Sequence, residues 1–334
     1  MSASKIYYLQ ALRGFAALWV ALYHARGHAP SFGFLFDTGH YGVAIFFALS
    51  GFVIMHSISG ATVTPGYWGR FMLRRSIRLD PSYWAAIVLT IGLGWFAAKF
   101  AGDTFVFPSS LSLFAHVTYL QEYLRIEQIN PVFWTLTFEV QFYAFLVAML
   151  LIPKASVAMA IMFGLACASA LGLFDNANPG LFLILWGSFF AGVLARMTGK
   201  IALAGLVVLS LLLAFKDTFG LVSAITAVAM CAAARTEWDG LRKKGWQFLG
   251  DISYSLYLTH VPIIGASAFV LRAIFGESSI GQVATFSGAI LASILFAAFA
   301  FYAIERPSHR FSRRVSLKPN LQHASAYNPA TRQT

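Results

Sequence analysis

The chain has little charge, few acidic residues and almost no cysteine. Only 11% of its 334 residues are Asp, Glu, Lys or Arg, against about 25% in a soluble domain. That is too little to cover a water-facing surface, which excludes an ordinary soluble enzyme. Its two cysteines, Cys167 and Cys231, both fall in apolar runs. They read as small hydrophobes, and a disulfide framework or thiolate metal site is excluded. The acidic count is 13 against 24 Lys and Arg, for a net charge of +11. These basic residues form no single patch, so a nucleic-acid partner is excluded. They cluster at the ends of apolar runs, as membrane orientation requires.

What is there in quantity is hydrophobic, at 58% of residues. Several runs reach the ~18–20 residues that cross a hydrocarbon core as a helix. The runs are continuous rather than alternating, which selects helices over a barrel. The expected fold is all-α: a polytopic transmembrane bundle of about ten helices. The spans fall near 7–25, 40–58, 82–100, 132–152, 155–173, 180–197, 201–216, 219–234, 252–273 and 281–304. The first run holds Arg13 in its middle, a charge that a cleaved signal-peptide core does not normally tolerate, so it reads as a retained helix. No linker or repeat divides residues 1–306, which read as one domain. Residues 307–334 are polar and basic and read as a disordered cytoplasmic tail.

With the N-terminus inside, the inner loops and ends hold eighteen basic residues. These are Lys5, Arg70, Arg74, Arg75, Arg78, Lys154, Arg196, Lys200, Arg235, Arg242, Lys243, Lys244 and the six from Arg306 onward. The outer side holds Arg26, Lys99, Arg125, Lys216 and Arg272. This bias puts both termini in the cytoplasm. The longest outer segment, about 102–131, is aromatic (Phe105, Phe107, Phe114, Tyr119, Tyr123). It reads equally as an interfacial belt, a surface segment or a cap over a cavity.

Ionisable residues inside spans are costly and need a reason. Arg13 and His24 are eleven residues apart, which places them on one face of the first span, about 16 Å apart along its axis. Arg13 sits toward the cytoplasm and His24 near the outer mouth. Arg70, Arg74, Arg75 and Arg78 fall between the second and third spans. Arg75 and Arg78 would share a helix face and make a fork for phosphate. An anionic-lipid anchor is the plainer reading of that cluster taken alone. Glu139 lies in the fourth span, about 10 Å from its outer end. There it is a partner for Arg13 or His24, a proton carrier or a helix-packing residue. Ser50 and Gly51 permit close approach of a helix or a ligand, and helix packing is the plainer reading. His260 lies near mid-membrane as a cavity-lining or, more simply, a structural histidine. Glu305-Arg306-Pro307 reads as a helix stop with an ion pair.

At these residues the chain resembles the acyltransferase-3 family of bacterial membrane acyltransferases, in the branch that decorates exopolysaccharide. The resemblance runs from Leu9 to Pro307. It rests on Leu12-Arg13-Gly14 with His24, the Phe46-Phe47 to Ser50-Gly51-Phe52 stretch, and Arg75-x-x-Arg78. It rests also on the Trp134 to Glu139 to Tyr143 segment and on Ser253-Tyr254-Ser255-Leu256-Tyr257-Leu258-Thr259-His260. Each motif is weak alone; the ordered set is specific. The resemblance implies an inner-membrane O-acyltransferase with no permanently bound cofactor. Its donor would be acyl-CoA, carrying acetyl or alternatively succinyl. Its acceptor would be a hydroxyl of an exopolysaccharide, surface glycan or lipid-linked sugar. Membrane lipids and other polysaccharide-assembly proteins are the remaining expected partners.

In that reading His24, Glu139 and Arg13 are catalytic. His24 is the general base, Glu139 orients it, and Arg13 polarises the thioester or binds CoA. Arg75 and Arg78, with Ser50 and Gly51, hold the donor. The main rival is a transporter or flippase using Arg13, Glu139 and His260 as a path. Against it, the chain lacks the repeated halves that transporters often show. A non-catalytic sensor or scaffold is the other rival, and it leaves the ionisable residues unexplained.

Overall fold

Apolar runs in lipid can satisfy their backbone groups only internally. The computed structural model, which describes residues 6–236 and 241–317, is accordingly helical, with no strand among those residues. In chain order the helices are α1 (Tyr7–Ala25), α2 (Gly42–Ile58), α3 (Pro65–Ala101), α4 (Ser110–Val117), α5 (Trp134–Met149), α6 (Ala155–Ala170) and α7 (Trp186–Arg196). There follow α8 (Lys200–Lys216), α9 (Thr218–Arg235), α10 (Lys244–Asp251), α11 (Ser253–Phe275), α12 (Ser279–Ala300) and α13 (Arg306–Ser312). A helix overlaps each of the ten expected ranges, although α7 begins at Trp186 where a span from about 180 was expected. Among the described residues, five helical stretches are long and apolar enough to cross a membrane: 33–58, 65–101, 218–235, 253–275 and 279–312. The apolar helices α5 and α6, and the 182–196 stretch that contains α7, are shorter.

The largest departure from expectation is α3. Thr64 caps its first turn by accepting from Tyr67 N at 3.2 Å, and Pro65 follows at the first helical position, where its missing N–H costs nothing. The helix then runs 37 residues through Pro81, about 55 Å at 1.5 Å per residue. Arg70, Arg74, Arg75 and Arg78 therefore stand on a helix continuous with the third span, not in a loop. A second departure is at the C-terminal end. After α12 the chain passes through a π-helical turn, Phe301–Glu305, into α13. Residues 307–312, expected to open a disordered tail, are helical and contact α3. Residues 313–317 are not helical, and the remainder of that expected tail, from 318 to 334, lies outside the described residues.

Two helices meet backbone to backbone. A Cβ on Gly51 of α2 would run into the carbonyl of Phe189 on α7, and one on Gly192 of α7 would run into the carbonyl of Ala48 on α2. Small residues at such a crossing allow the van der Waals contact that drives helix association in lipid. Around it pack the buried rings of Phe47, Phe142, Trp186 and Phe189. Large apolar side chains such as Val88, Phe215 and Ile225 point outward, as a lipid-facing surface requires.

The 102–131 segment divides its residues. Phe107, Phe114 and Tyr123 are exposed, whereas Gln121 and Asn130 are fully buried. Tyr119 donates to the Asp80 carboxylate at 2.8 Å and stacks on Tyr83. Asn130 reaches the carbonyl of Leu258 on α11 at 3.4 Å. Part of the segment is thus wedged between α3 and α11, while the rest keeps the aromatic surface expected of a belt.

The α2–α7 crossing makes a quantitative demand. Gly51→Ala and Gly192→Ala each force backbone apart and should destabilise the protein by about 1–3 kcal/mol, read as a lowered melting temperature in detergent. Gly164→Ala, where an added Cβ meets nothing within 4 Å, serves as the neutral control. Equal melting temperatures for all three would remove the crossing as a stabilising contact.

Candidate active site

Four helix faces and one inward arginine enclose a cavity. Along α5 the lining residues Thr135, Glu139 and Tyr143 recur every four residues, which is one helix face. From α2 come Val43, Phe46, Phe47 and Ser50, from α3 Arg75, Arg78 and Leu79, and from α11 Tyr254 and Tyr257. Arg13 enters from α1. The empty space, open solvent at its mouth included, is about 830 Å³.

The charges in this cavity do not balance by contact. Arg13, Arg75 and Arg78 all border it, yet among the described residues no carboxylate lies within ion-pair distance of any of the three guanidiniums. Glu139 is the one carboxylate on the wall. Its Oε1 accepts from Ser50 Oγ at 2.9 Å and from the Tyr143 hydroxyl, both neutral donors. Arg75 lies over the rings of Phe71 and Tyr143, at 5.3 and 5.0 Å from their centroids. A second carboxylate, Glu305, is buried behind the wall and held by Ser255 N and Oγ at 3.2 and 2.6 Å. The Glu305–Arg306 pair expected at a helix stop is replaced by this inward contact, because the π-helical turn rotates Glu305 toward α11. Three guanidiniums against one wall carboxylate make a site with net capacity for an anion.

Of the residues expected at the site, Arg13, Ser50, Arg75, Arg78 and Glu139 are brought together. Gly51 is not: the Phe189 carbonyl of α7 occupies its open side, so it serves helix packing and not a ligand. His24 is not among the cavity-lining residues either. Glu139 is not its partner: Glu139 accepts from Ser50 and Tyr143, while the His24 Nδ1 atom faces the Val20 carbonyl oxygen and His260. The ring facing His24 is that of His260, with His24 Nδ1 and His260 Nε2 at 3.2 Å. Tyr257, which caps the cavity, lies one turn before His260, and the two ring centroids are 6.0 Å apart. Its hydroxyl pairs with Thr135 Oγ1 at 2.9 Å and lies 3.2 Å from the Val132 carbonyl. Sequence reading missed the roles of Tyr143, Tyr254, Tyr257, Ser255 and Glu305. The available signal was the density of polar side chains at i, i+3 and i+4 on 253–260, an otherwise costly arrangement in lipid.

This arrangement agrees with what the chain is similar to. An acyltransferase-domain family model matches residues 6–304, and the chain belongs to that acyltransferase-3 family, a class of membrane acyltransferases. Among curated proteins it is similar to "Exopolysaccharide production protein ExoZ" of Rhizobium meliloti (strain 1021), 28% identical over 324 residues, covering 87% of this chain and 95% of that one. It is also similar to "Protein 2 in picA locus" of Rhizobium radiobacter, 38% identical over 88 residues, 24% of this chain and 41% of that one. No solved structure matches the chain.

Unpaired cavity guanidiniums have a stability consequence that separates a ligand site from a structural ion network. Replacing such a charge by an apolar side chain of similar length removes a desolvation cost of about 1 kcal/mol or more. Arg75→Met and Arg78→Met should therefore each raise the melting temperature of the ligand-free protein in detergent. A fall in both would identify the arginines as structural.

Proposed function

We propose that the protein is an O-acyltransferase of the bacterial inner membrane, with about ten spans and both termini cytoplasmic. It moves an acyl group, acetyl first and succinyl as the alternative, from cytoplasmic acyl-CoA to a hydroxyl of an exopolysaccharide, surface glycan or lipid-linked sugar. The observation that carries this reading is the set of three guanidiniums around one cavity with, among the described residues, no ion-paired carboxylate. Family membership and the similarity to an exopolysaccharide production protein support the reaction class and the acceptor class.

In this reading Arg75 and Arg78 hold the CoA phosphates as a paired fork. Arg13, in the same cavity, binds the CoA moiety beside them; about three turns of α1 separate it from His24, too far for it to reach the carbonyl that is attacked there. His24 takes the proton from the acceptor hydroxyl as the new O–C bond forms. When the C–S bond breaks, the same proton passes to the departing thiolate, leaving an ester and free CoA. Glu139, held by Ser50 and Tyr143, balances part of the arginine charge instead of orienting His24. The pantetheine arm reaches His24 only by passing the Tyr257–Thr135 contact at the cavity's end. No bound cofactor takes part. Residues 1–306 act as the catalytic domain.

Two measurements test this. Acetyl-CoA added to the detergent-solubilised protein should raise its melting temperature, and Arg75→Gln or Arg78→Gln should reduce that shift by at least about half. A flippase or a non-catalytic scaffold would show no shift in the wild type. The second measurement is turnover. Vesicles containing the protein and its native saccharide pool receive radiolabelled acetyl-CoA on the cytoplasmic face, with label in the saccharide fraction as the readout. His24→Ala should lower incorporation about 10²-fold or more, the usual weight of general acid–base catalysis, at unchanged melting temperature. Full activity in a folded His24→Ala would remove it as the base.

A further inference from the structure

The geometry points to His260 as the residue that positions His24, by accepting the Nδ1 proton of His24 and so leaving Nε2 of His24 bare toward the acceptor. This inference rests on His24 being the general base.

The argument is one of donors and acceptors. His260 is wholly buried, and its Nδ1 lies 3.0 Å from the Leu256 carbonyl oxygen. A carbonyl only accepts, so Nδ1 of His260 carries its proton there. A neutral imidazole has one N–H, and Nε2 of His260 is then a bare lone pair. That lone pair lies 3.2 Å from His24 Nδ1. The other neighbour of His24 Nδ1 is the Val20 carbonyl oxygen at 3.0 Å. Both polar neighbours of this nitrogen are therefore acceptors. Neutral His24 must keep its proton on Nδ1, shared between them, and its free lone pair is at Nε2.

A general base needs this state. The acceptor hydroxyl gives its proton to Nε2, and Nε2 returns it to the leaving sulfur, while the Nδ1 proton stays in place throughout. As His24 becomes cationic, its Nδ1–H bond to His260 becomes charge-assisted and stronger. In other hydrolytic and transfer sites a carboxylate holds the base in this way. Here Glu139 faces Ser50 and Tyr143 and not His24, and a second imidazole takes the position. An imidazole adds no charge to a partly lipid-surrounded site, which a carboxylate would.

Three variants of His260 separate positioning from packing. Glutamine extends its amide oxygen to about the place of Nε2 and can accept from His24. Asparagine stops at the place of Nδ1; it can keep the Leu256 contact but does not reach His24. Leucine fills the space with no acceptor. In the vesicle assay with radiolabelled acetyl-CoA, His260→Gln should retain at least about half of wild-type kcat. His260→Asn and His260→Leu should lose about tenfold, less than full removal of the base, because the Val20 oxygen remains. The KM for acetyl-CoA should not change in any of them. If Asn or Leu matches wild type, or if Gln is as impaired as Asn at equal melting temperature, His260 does not position the base. His24→Ala, run alongside, separates the two ideas. An active His24→Ala defeats the base assignment itself, whereas an inactive one with wild-type His260→Asn defeats only the positioning role.

Discussion

The structure depends on holding three guanidiniums around a cavity without ion-pairing them. Each of these charges loses hydration on entering a helical bundle. Among the described residues no carboxylate repays that loss by direct contact, and only Arg75 gains aromatic faces, those of Phe71 and Tyr143. The free energy comes from elsewhere in the bundle. The glycine crossing of α2 and α7 draws two backbones together, and the aromatic cluster around Trp186 packs beside it. A rigid α2 then presents Ser50 to Glu139 on a fixed face, so the same crossing that stabilises the bundle also sets the cavity's one wall carboxylate.

The helical class and most helix positions were legible because lipid leaves the backbone few choices. The facing of Arg75 and Arg78 was legible for a similar reason: an i, i+3 spacing fixes a shared face wherever a helix forms. What misled was the polarity of the 65–81 stretch. A hydropathy window ends a span where arginines begin, but Thr64 and Pro65 start a helix there and Pro81 does not stop it. Depth along one helix was also readable, as for Arg13 and His24. Relative rotation between helices was not, and it decided the partners. Glu139 and His24 looked like neighbours from their spans, yet α5 turns Glu139 to α2, and α11 brings His260 to His24 instead. Gly51 shows the same limit, since a small residue beside a polar one admits a ligand or a helix, and only α7 decides which.

The polar interior has two centres instead of one. The guanidinium cavity ends at Tyr257 and Thr135, and the His24–His260 pair begins one turn further along α11. Arg13 and His24 share a face of α1 but stand about three turns apart, so α1 links the two centres without joining them chemically. On the proposed reading this separation has a use. An anionic donor is held at one depth and a neutral hydroxyl is deprotonated at another, and the only groups that need cross between them are a thin pantetheine arm and an acyl group. A chain with both centres in a single chamber would expose the thioester to water from the acceptor side. Here the Tyr257–Thr135 contact stands between them, and it consists of neutral hydroxyls, which part at smaller cost than a salt bridge would. On that reading, three guanidiniums around the donor cavity and a pair of imidazoles beyond Tyr257 fit transfer across a barrier better than passage of a charged solute through one.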